Sequence, residues 1–364
     1  MKGKVFFFGQ FPPPVHGASS VNQYLYQQFL ARGEFEVIRF SFVRQSKNAV
    51  QLLANRVFKS LSAVFVILKN FRSSPSSVFY MPVSGGLGMV FEMAPWLLAG
   101  ILFKKRVMHH HSFKYCHKWS IWMYFIQTFR KKNIHNIFLC ECHLSAFNKQ
   151  YPILAGNTSV IGNEMVIPVD MPNDAAKQRT SKGIVVGHLS NLTVEKGCNI
   201  FFELAEQLAG TGNIKFELAG PARSTEIEDR IEDLISKFPE TFCYSGPLYG
   251  DKKLDWYRRL DFFIFPSTYA DETYPLVISE AISAGVIPLT TPIGCLPEIN
   301  HEAFILPVHK FIEQAAAILL KASSDERYFN QIRDDLQKIR QPAMLKRQAD
   351  LDTIITLFTG FLQQ

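Results

Sequence analysis

Two glutamates, Glu272 and Glu280, stand eight positions apart around the start of a predicted helix. Before them, Phe262 to Phe265 form an apolar run that is typical of a buried parallel strand. The helix, Leu276 to Ala284, ends at Gly285, and a second apolar run follows. In such a unit the loop and the helix N-terminus face the ligand crevice, where backbone N–H groups bind phosphate. Glu272 would then lie beside a substrate, and Glu280 could accept hydrogen bonds from ribose hydroxyls.

The stretch around the two glutamates, FPSTYADETYPLVISEAISAGVIPLTT, resembles the signature of retaining glycosyltransferases of the GT-B fold, specifically family GT4. The positions that match in register are Phe265, Pro266, Ser267, Glu272, Leu276, Glu280, Ala281, Gly285 and Pro288. The resemblance implies a catalytic role for Glu272 and donor contacts by Leu276, Val277 and Glu280. An isolated pair of glutamates would instead be read as two solvated carboxylates near a helix N-terminus.

Lys196 stands just before the predicted helix Cys198–Leu208, where it is well placed to neutralise a phosphate. The comparable family segment is G-R-L-x-x-x-K-G, whose arginine and lysine hold the donor diphosphate. Lys196 matches the lysine, but His188 occupies the place of the arginine. Ser190 or Asn191 could compensate for that change through hydrogen bonds.

Two glycine-containing loops complete the expected donor site. Gly246 lies in a Ser-Gly-Pro-Leu segment that resembles the family loop contacting the donor's base. Gly17 ends a proline-rich loop after the first predicted strand, and this loop resembles the PPP-x-x-G loop that borders donor and acceptor. A glycine at a helix start lets backbone approach a phosphate or sugar closely, although a structural role explains the loop equally well.

Three consecutive histidines, His109, His110 and His111, follow a short predicted strand. Adjacent side chains on an extended segment point to opposite faces, so at most His109 and His111 could share a metal ion. No carboxylate or cysteine at a supporting spacing accompanies them, and we expect no metal and no cofactor. Family GT4 carries a histidine against the transferred sugar at the end of a comparable strand. By that register His111 is the first candidate, His109 the second and His110 the third.

The expected site therefore has two groups of residues. Those expected to be catalytic are His111 and Glu272, and those expected to bind the donor are Gly17, Ser190, Asn191, Lys196, Gly246, Leu276, Val277 and Glu280.

The chain is too long for a single core and alternates predicted strands with helices, which indicates an α/β protein of two domains. The resemblance implies the GT-B fold, two Rossmann-like domains facing a cleft. The expected parts are an acceptor-side domain (1–170), a linker (171–182), a nucleotide-sugar-binding domain (183–340) and a C-terminal helix (341–364) that can cross back to the first domain.

The end of the chain carries a predicted final strand, Ala303 to Leu306, and separate helices at 325–340 and 344–361. The only D-x-D motif, Asp350 to Asp352, lies in the last helix rather than after a strand. The metal-dependent chemistry of the other main glycosyltransferase fold is therefore not supported.

Basic residues are concentrated in the first half of the chain. Residues 1–180 hold 21 lysines and arginines against 7 acidic residues, a balance of +14, whereas residues 181–364 balance to −7. The segment 119–132 mixes aromatic with basic residues, which suits an interfacial helix or a buried helix with a basic end. An anionic membrane surface is thus a candidate partner. No uninterrupted apolar run reaches the roughly 20 residues that span a bilayer.

The resemblance to family GT4, together with these observations, implies a cytoplasmic glycosyltransferase, with peripheral attachment at the inner face of the membrane as an option. Its donor would be a nucleotide sugar of the UDP or GDP type. Its acceptor would be a glycan or a polyprenyl-phosphate-linked molecule, used in surface polysaccharide or glycoconjugate synthesis. A GT-B sugar-nucleotide epimerase and a non-catalytic sugar-nucleotide-binding subunit are the alternatives. Nucleic acid is not expected as a partner, because no binding motif accompanies the basic residues.

Overall fold

The computed structural model describes residues 3–42, 48–151, 157–167 and 183–363. They form two compact units, the first comprising Met1–Val166 and Arg347–Gln364 and the second Ile167–Lys346. Each unit contains one parallel sheet whose strands are joined through helices. The prediction of two Rossmann-like α/β domains is therefore confirmed. The predicted linker lies outside the described residues.

Strands and helices alternate along most of the chain. The strands are β1 (Gly3–Gly9), β2 (Phe35–Ser41), β3 (Ser77–Val83), β4 (Lys105–His110), β5 (Ile134–Phe138), β6 (Thr158–Val160), β7 (Ile184–Leu189), β8 (Ile214–Ala219), β9 (Phe242–Tyr244), β10 (Phe262–Phe265) and β11 (Ile287–Thr290). The helices are α1 (Gly17–Arg32), α2 (Ala49–Lys69), α3 (Gly88–Leu102), α4 (Lys114–His117), α5 (Ile121–Thr128), α6 (Glu141–Asn148), α7 (Cys198–Leu208), α8 (Thr225–Lys237), α9 (Gly250–Arg259), α10 (Leu276–Ser283), α11 (Leu296–Ile299), α12 (Phe311–Ser324) and α13 (Glu326–Gln363).

The sheet of the first unit has the strand order β2-β1-β3-β4-β5-β6. Val5, Phe6, Phe7 and Phe8 of β1 are fully buried, as expected of a continuous apolar strand covered on both faces. The order reverses between β1 and β3, so the loops after these strands open a crevice at the carboxyl edge of the sheet. His111 lies at the same edge, one residue beyond β4.

The sheet of the second unit has the order β11-β10-β7-β8-β9. Its order reverses between β7 and β10, which places the loops after these two strands on either side of the ligand crevice expected of such a sheet. Lys196 follows β7, and Glu272 follows β10 just before α10. The predicted strand, loop, helix and strand around Glu272 are observed as β10, α10 and β11.

The predicted strand at Ala303–Leu306 is wrong. The chain instead forms a 3-10 turn at Glu302–Phe304, and a single bridge joins Thr290 to Ile305. The His301 ring caps the turn by accepting from the Ala303 amide at 3.2 Å. That cap favours the turn over an extended run, so the apolar residues contact the sheet without adding a strand.

The last two predicted helices form a single helix. α13 is 38 residues long and passes through Pro342 without a break. An interior proline removes a backbone hydrogen bond, but apolar contacts on both sides of Pro342 hold the helix together. Leu336 is buried within the second unit, and the Phe358 ring lies 4.9 Å from that of Phe29 in the first. The carboxylates of the D-x-D motif have structural partners here. Asp350 accepts from the Gly162 amide, and Asp352 pairs with Arg32.

The sequence predicted no membrane-spanning segment, but α2 meets the length and composition required of one. Of the described helices, α2 alone is long and apolar enough to cross a membrane by length and composition. The polar residues Asn55, Arg56 and Lys59 interrupt its sequence without reducing its overall apolar character.

Candidate functional site

The loops after β7 and β10 pack closely where the second sheet reverses its order. Gly197 has a φ of 83°, and a Cβ there would lie 2.4 Å from the carbonyl oxygen of Pro266. Gly294, with a φ of 57°, would place a Cβ 2.5 Å from the carbonyl oxygen of Glu272. Only glycine fits at these two positions without strain. The backbones that carry Lys196 and Glu272 are therefore held in place by close packing.

Lys196 and Glu272, which are 76 positions apart in the chain, form an ion pair between Nζ and Oε2. The pair is largely enclosed, since the Glu272 side chain is 11% exposed and that of Lys196 23%. The Lys196 ammonium also lies 4.8 Å from the centroid of the Tyr269 ring, a cation–π contact. The lysine predicted to bind phosphate is thus compensated by the glutamate predicted to be catalytic.

Glu280 is buried on α10 and engaged by two side chains of α9. Lys253 donates to its Oε1 at 2.5 Å, and the Tyr257 hydroxyl donates to its Oε2 at 3.1 Å. Neither partner was predicted from the sequence. Their spacing of four residues, which puts them on one helix face, was the available signal. Burial, reinforced by Glu280, raises the pKa of Tyr257 well above its usual value, so its hydroxyl keeps its proton.

The start of α10 has no side-chain cap. Pro275 occupies the N-cap position, and its side chain has no hydrogen-bonding atom. The amides of Leu276 and Val277 lie in the first turn, where a helix has no acceptors of its own. This end of α10 therefore presents backbone donors and a positive dipole, the two features that bind an anionic group.

His188 does not replace the charge of the family arginine. Its Nδ1 lies 2.8 Å from the Ile264 carbonyl oxygen and its Nε2 lies 2.9 Å from Ser190 Oγ. Burial lowers the pKa of His188 to about 4, so the ring is neutral near pH 7. Because a carbonyl only accepts, Nδ1 carries the proton and Nε2 accepts from Ser190. The Ser190 hydroxyl is therefore turned toward the core.

Arg223, in the loop after β8, was not identified from the sequence. Its guanidinium donates to Asn191 Oδ1 at 2.5 Å and is exposed. Gly246 follows β9 in the next loop, with a φ of 67°, and its carbonyl accepts from the Gly220 amide at 2.8 Å. The loops that follow β7 and β9, which are predicted to contact the donor, thus lie on either side of the loop that follows β8.

In the first unit, His109 and His110 are fully buried and bonded to core residues. His109 Nδ1 lies 2.7 Å from the Tyr80 hydroxyl. Both ring nitrogens of His110 are engaged, Nδ1 by the Tyr115 hydroxyl at 2.9 Å and Nε2 by Asn136 Oδ1 at 3.0 Å. These bonds give the two histidines structural roles.

His111 is the member of the triplet that retains some exposure. Its ring centroid lies 4.1 Å from that of His109. Burial, then the nearby His143 and His16, lower the pKa of His111 to about 3. A histidine with this pKa is neutral near pH 7, so it can take part in hydrogen bonds but cannot supply positive charge.

Gly17 begins α1 immediately after its N-cap residue, His16. The Ser19 amide donates to His16 Nδ1 at 3.3 Å, and the His16 amide donates to Ser19 Oγ at 2.9 Å. Among the described residues, a Cβ at Gly17 would meet nothing within 4 Å. The reciprocal cap fixes the loop, while Gly17 faces open space.

Glu92, which has no motif around it, fixes the loop after β3. Its Oε2 accepts from the Ser84 amide at 2.9 Å and its Oε1 from the Ser84 hydroxyl at 2.5 Å. Gln10 Nε2 donates to the same hydroxyl oxygen at 3.3 Å, which joins the loops after β1 and β3. Glu92 therefore orders the crevice of the first unit through its neighbours.

The buried histidines give a pH prediction for stability. Burial lowers the pKa of His109, His110, His111, His143 and His188 below their ordinary value of 6.5. The unfolded chain then binds more protons than the folded one below pH 6.5, so stability falls as pH drops toward 4. Each group contributes up to about 1.4 kcal/mol per pH unit. Thermal unfolding at pH 7.5, 6.5 and 5.5 measures this loss of stability, and the Tm should fall as the pH is lowered. An unchanged Tm from pH 6.5 to 5.5 would contradict the burial of these rings.

The family model described as glycosyl transferases group 1 matches residues 170–340. The match spans nearly all of the second unit and contains Lys196, Glu272, Glu280 and the start of α10. The second unit therefore contains a glycosyltransferase domain. No curated protein gives a significant match to the chain.

Solved structures of glycosyltransferases share the fold over nearly the whole chain. Anabaena Alr3699/HepE in complex with UDP and glucose gives a TM-score of 0.65 at 17% identity, covering 97% of this chain and 100% of that one. A glycosyltransferase from Rickettsia africae ESF-5 gives 0.68 at 13% identity, covering 100% and 99%. WaaG, a glycosyltransferase involved in lipopolysaccharide biosynthesis, gives 0.61 at 13% identity, covering 93% and 98%. At these identities the likeness shows the GT-B fold.

Proposed function

We propose that this protein is a retaining glycosyltransferase of the GT4 type, which moves a sugar from a nucleotide-sugar donor to an acceptor. One observation carries the proposal: in the second unit Lys196 pairs with Glu272, which lies four residues before Leu276, the first residue of the uncapped helix α10. A lysine and free helix amides are what a diphosphate needs, because both bind negative charge.

Donor binding would exchange the partner of Lys196. In this structure the ammonium pairs with Glu272, and in the donor complex it would bind the diphosphate instead. Glu272 would then be released beside the sugar, where a carboxylate can stabilise the positive charge that develops as the glycosidic bond breaks. The departing diphosphate gains negative charge in the same step, and Lys196 and the α10 amides stabilise it without a metal.

His111 would contact the transferred sugar through a hydrogen bond. Its neutral ring suits this role, because a neutral imidazole has one donor and one acceptor nitrogen. Gly17, in open space at the start of α1, would let backbone approach the same ligand. Ser190, Asn191 and Gly246 would complete the donor site on the nucleoside side.

The donor we favour is a UDP sugar, because HepE was solved with UDP and glucose. A GDP sugar is the other type to test. For the acceptor we propose a glycan or a polyprenyl-phosphate-linked molecule of surface polysaccharide or glycoconjugate synthesis. The enzyme would then work in the cytoplasm, peripherally attached to the inner face of the membrane.

A ligand screen followed by turnover assays tests this function. Tm is measured with UDP, GDP and their sugar conjugates, since binding raises Tm by mass action. The donors that bind are then incubated with polyprenyl-phosphate-linked glycans, and mass spectrometry follows the transfer. Epimerisation of the donor sugar without an acceptor would favour an epimerase, and binding without turnover would favour a non-catalytic subunit. Failure of every nucleotide to bind would contradict the proposal.

Replacing Lys196 by alanine should weaken binding of the nucleoside diphosphate itself. Charge-assisted bonds to phosphate contribute about 1.5–3 kcal/mol, so the Kd should rise roughly tenfold or more. Isothermal calorimetry with UDP or GDP measures it. Lys237→Ala, which removes an exposed lysine of α8, is the matched control and should leave the Kd unchanged. Equal affinity in Lys196→Ala and the parent would exclude the diphosphate role.

Glu280→Gln should raise the donor Kd and also lower stability. The substitution would remove the proposed ribose acceptor and leave Lys253, whose side chain is 26% exposed, without its anion. Loss of this charge-assisted bond should cost about 1–2 kcal/mol, a decrease of a few degrees in Tm. Asp251→Asn, at an exposed position of α9, is the control. Unchanged Kd and Tm would show that Glu280 has neither role.

A further inference from the structure

The outward face of α2 carries a continuous apolar stripe. Its members recur every three or four residues and are between 45% and 75% exposed: Val50, Leu53, Val57, Leu61, Phe65 and Leu68. Residues at this spacing lie on one helix face. The side that packs inward is formed by Ser60, Ala63 and Ile67, so the larger apolar side chains point outward. A surface helix of a soluble domain normally has the reverse arrangement, and an exposed apolar face of this size marks an interaction site.

Neighbouring elements extend the apolar surface. α2 packs against α3, and α3 packs against α5, so the three helices form one layer over the first sheet. Leu87 and Ile101, at the two ends of α3, are 74% and 59% exposed. Trp122 and Phe125 of α5 are 40% and 49% exposed. The stripe is therefore part of a broader surface that includes aromatic side chains.

Contacts along α2 hold it against its own domain. Lys59 Nζ donates to the Ser41 carbonyl oxygen at 2.8 Å. The Arg56 guanidinium lies 5.7 Å from the centroid of the Phe91 ring in α3. These contacts place the helix lengthwise on the domain surface. That orientation suits a helix lying in the plane of a membrane interface better than one crossing a membrane.

The charged residues on α2 and just beyond its end are all basic. Arg56, Lys69 and Arg72 are exposed on the helix and just beyond its end. Glu92 is the only acidic residue of the sequence between Glu36 and Glu141, and it is buried. An apolar face bordered by cations, with no exposed anion nearby in sequence, complements an anionic lipid surface. A second copy of the chain fits less well, because like charges would then face each other.

We propose that the α2 stripe inserts into the headgroup–acyl boundary of an anionic bilayer and is the membrane-docking surface of this protein. The proposal deepens the proposed function, on which it rests only for the lipid-linked acceptor. It assigns docking to α2, whereas the sequence had directed attention to residues 119–132. α5 would then lie at the border of the contact.

Vesicle flotation of a charged double variant tests the docking surface. Leu61→Glu/Phe65→Glu changes two stripe residues that are 63% and 65% exposed, so folding should survive, as circular dichroism will check. Binding to phosphatidylglycerol–phosphatidylcholine vesicles should fall at least about tenfold. The control Leu345→Glu replaces a residue that is 77% exposed on α13, and it should bind as the parent does. Pure phosphatidylcholine vesicles should bind the parent more weakly than the anionic vesicles.

Three outcomes would overturn the proposal. Undiminished binding of the double variant would show that another surface docks. A parent dimer in light scattering that the variant loses would assign the stripe to a second copy of the chain. Retention of the parent in membranes after alkaline carbonate would indicate a spanning helix. Calorimetry with UDP and GDP on the same variant separates this test from the proposed function, because intact nucleotide binding with lost flotation supports docking through α2. If the parent protein floats with the vesicles but binds no nucleotide, only the proposed glycosyltransferase function is contradicted.

Discussion

His111→Ala is expected to lower kcat about a hundredfold while changing the donor Kd little. The ring is proposed to contact the sugar at the reacting centre, and loss of one preorganised hydrogen-bonding group there typically lowers kcat by this amount or more. An interaction made chiefly in the transition state appears in kcat and kcat/KM together. Steady-state transfer assays with the donor identified by the ligand screen measure both quantities.

The exposed His117 provides the control, because His117→Ala removes an imidazole from the same unit and should leave kcat unchanged. With its pKa near 3, His111 should contribute no titration to the rate between pH 5 and 9. Full activity of His111→Ala would exclude the ring from catalysis. If His109→Ala is inactive but folded, His109 rather than His111 is the histidine that contacts the sugar, and the alignment with the family pattern shifts by two positions.

Glu272→Gln is expected to lower kcat by a factor on the order of a hundred, while the affinity for the free nucleoside diphosphate stays equal or increases. The neutral amide cannot stabilise developing positive charge at the sugar, which lowers kcat. It also no longer holds Lys196 in an ion pair, so the ammonium becomes more available to phosphate. The opposite signs of these two effects distinguish Glu272 from Glu280.

Calorimetry with the diphosphate and transfer kinetics on the same preparation separate the two effects. Glu226→Gln, at an exposed position of α8, is the matched control and should change neither quantity. A loss of donor affinity alone in Glu272→Gln would reverse the roles of the two glutamates. Wild-type behaviour of both glutamine variants would exclude both carboxylates from donor binding and catalysis.

The sequence predicted the elements around Glu272 well because their signals are local. The run Phe262–Phe265 and the helix from Leu276 were readable from apolar content and from Gly285. The sequence wrongly predicted a helix break at Pro342. A proline breaks a helix only where tertiary contacts do not hold the segments on both sides of it. The prediction of a strand at Ala303–Leu306 was wrong for a related reason. Apolar content indicates that a segment is buried, but not that it is hydrogen-bonded to a neighbouring strand.

The partners of the site residues could not be predicted, because they come from distant parts of the chain. Lys253 and Tyr257 reach Glu280 only through the packing of α9 on α10. The Lys196–Glu272 pair follows from the strand order that brings β7 beside β10. The protonation state of His188 depends on its burial, which the sequence around it does not show.

A crystal structure with bound UDP or GDP tests whether Lys196 exchanges Glu272 for a diphosphate. We expect phosphate oxygens within hydrogen-bonding distance of Lys196 Nζ and of the Leu276 and Val277 amides, with the Lys196–Glu272 pair broken. A nucleotide bound elsewhere, or one bound while that ion pair remains intact, would contradict it.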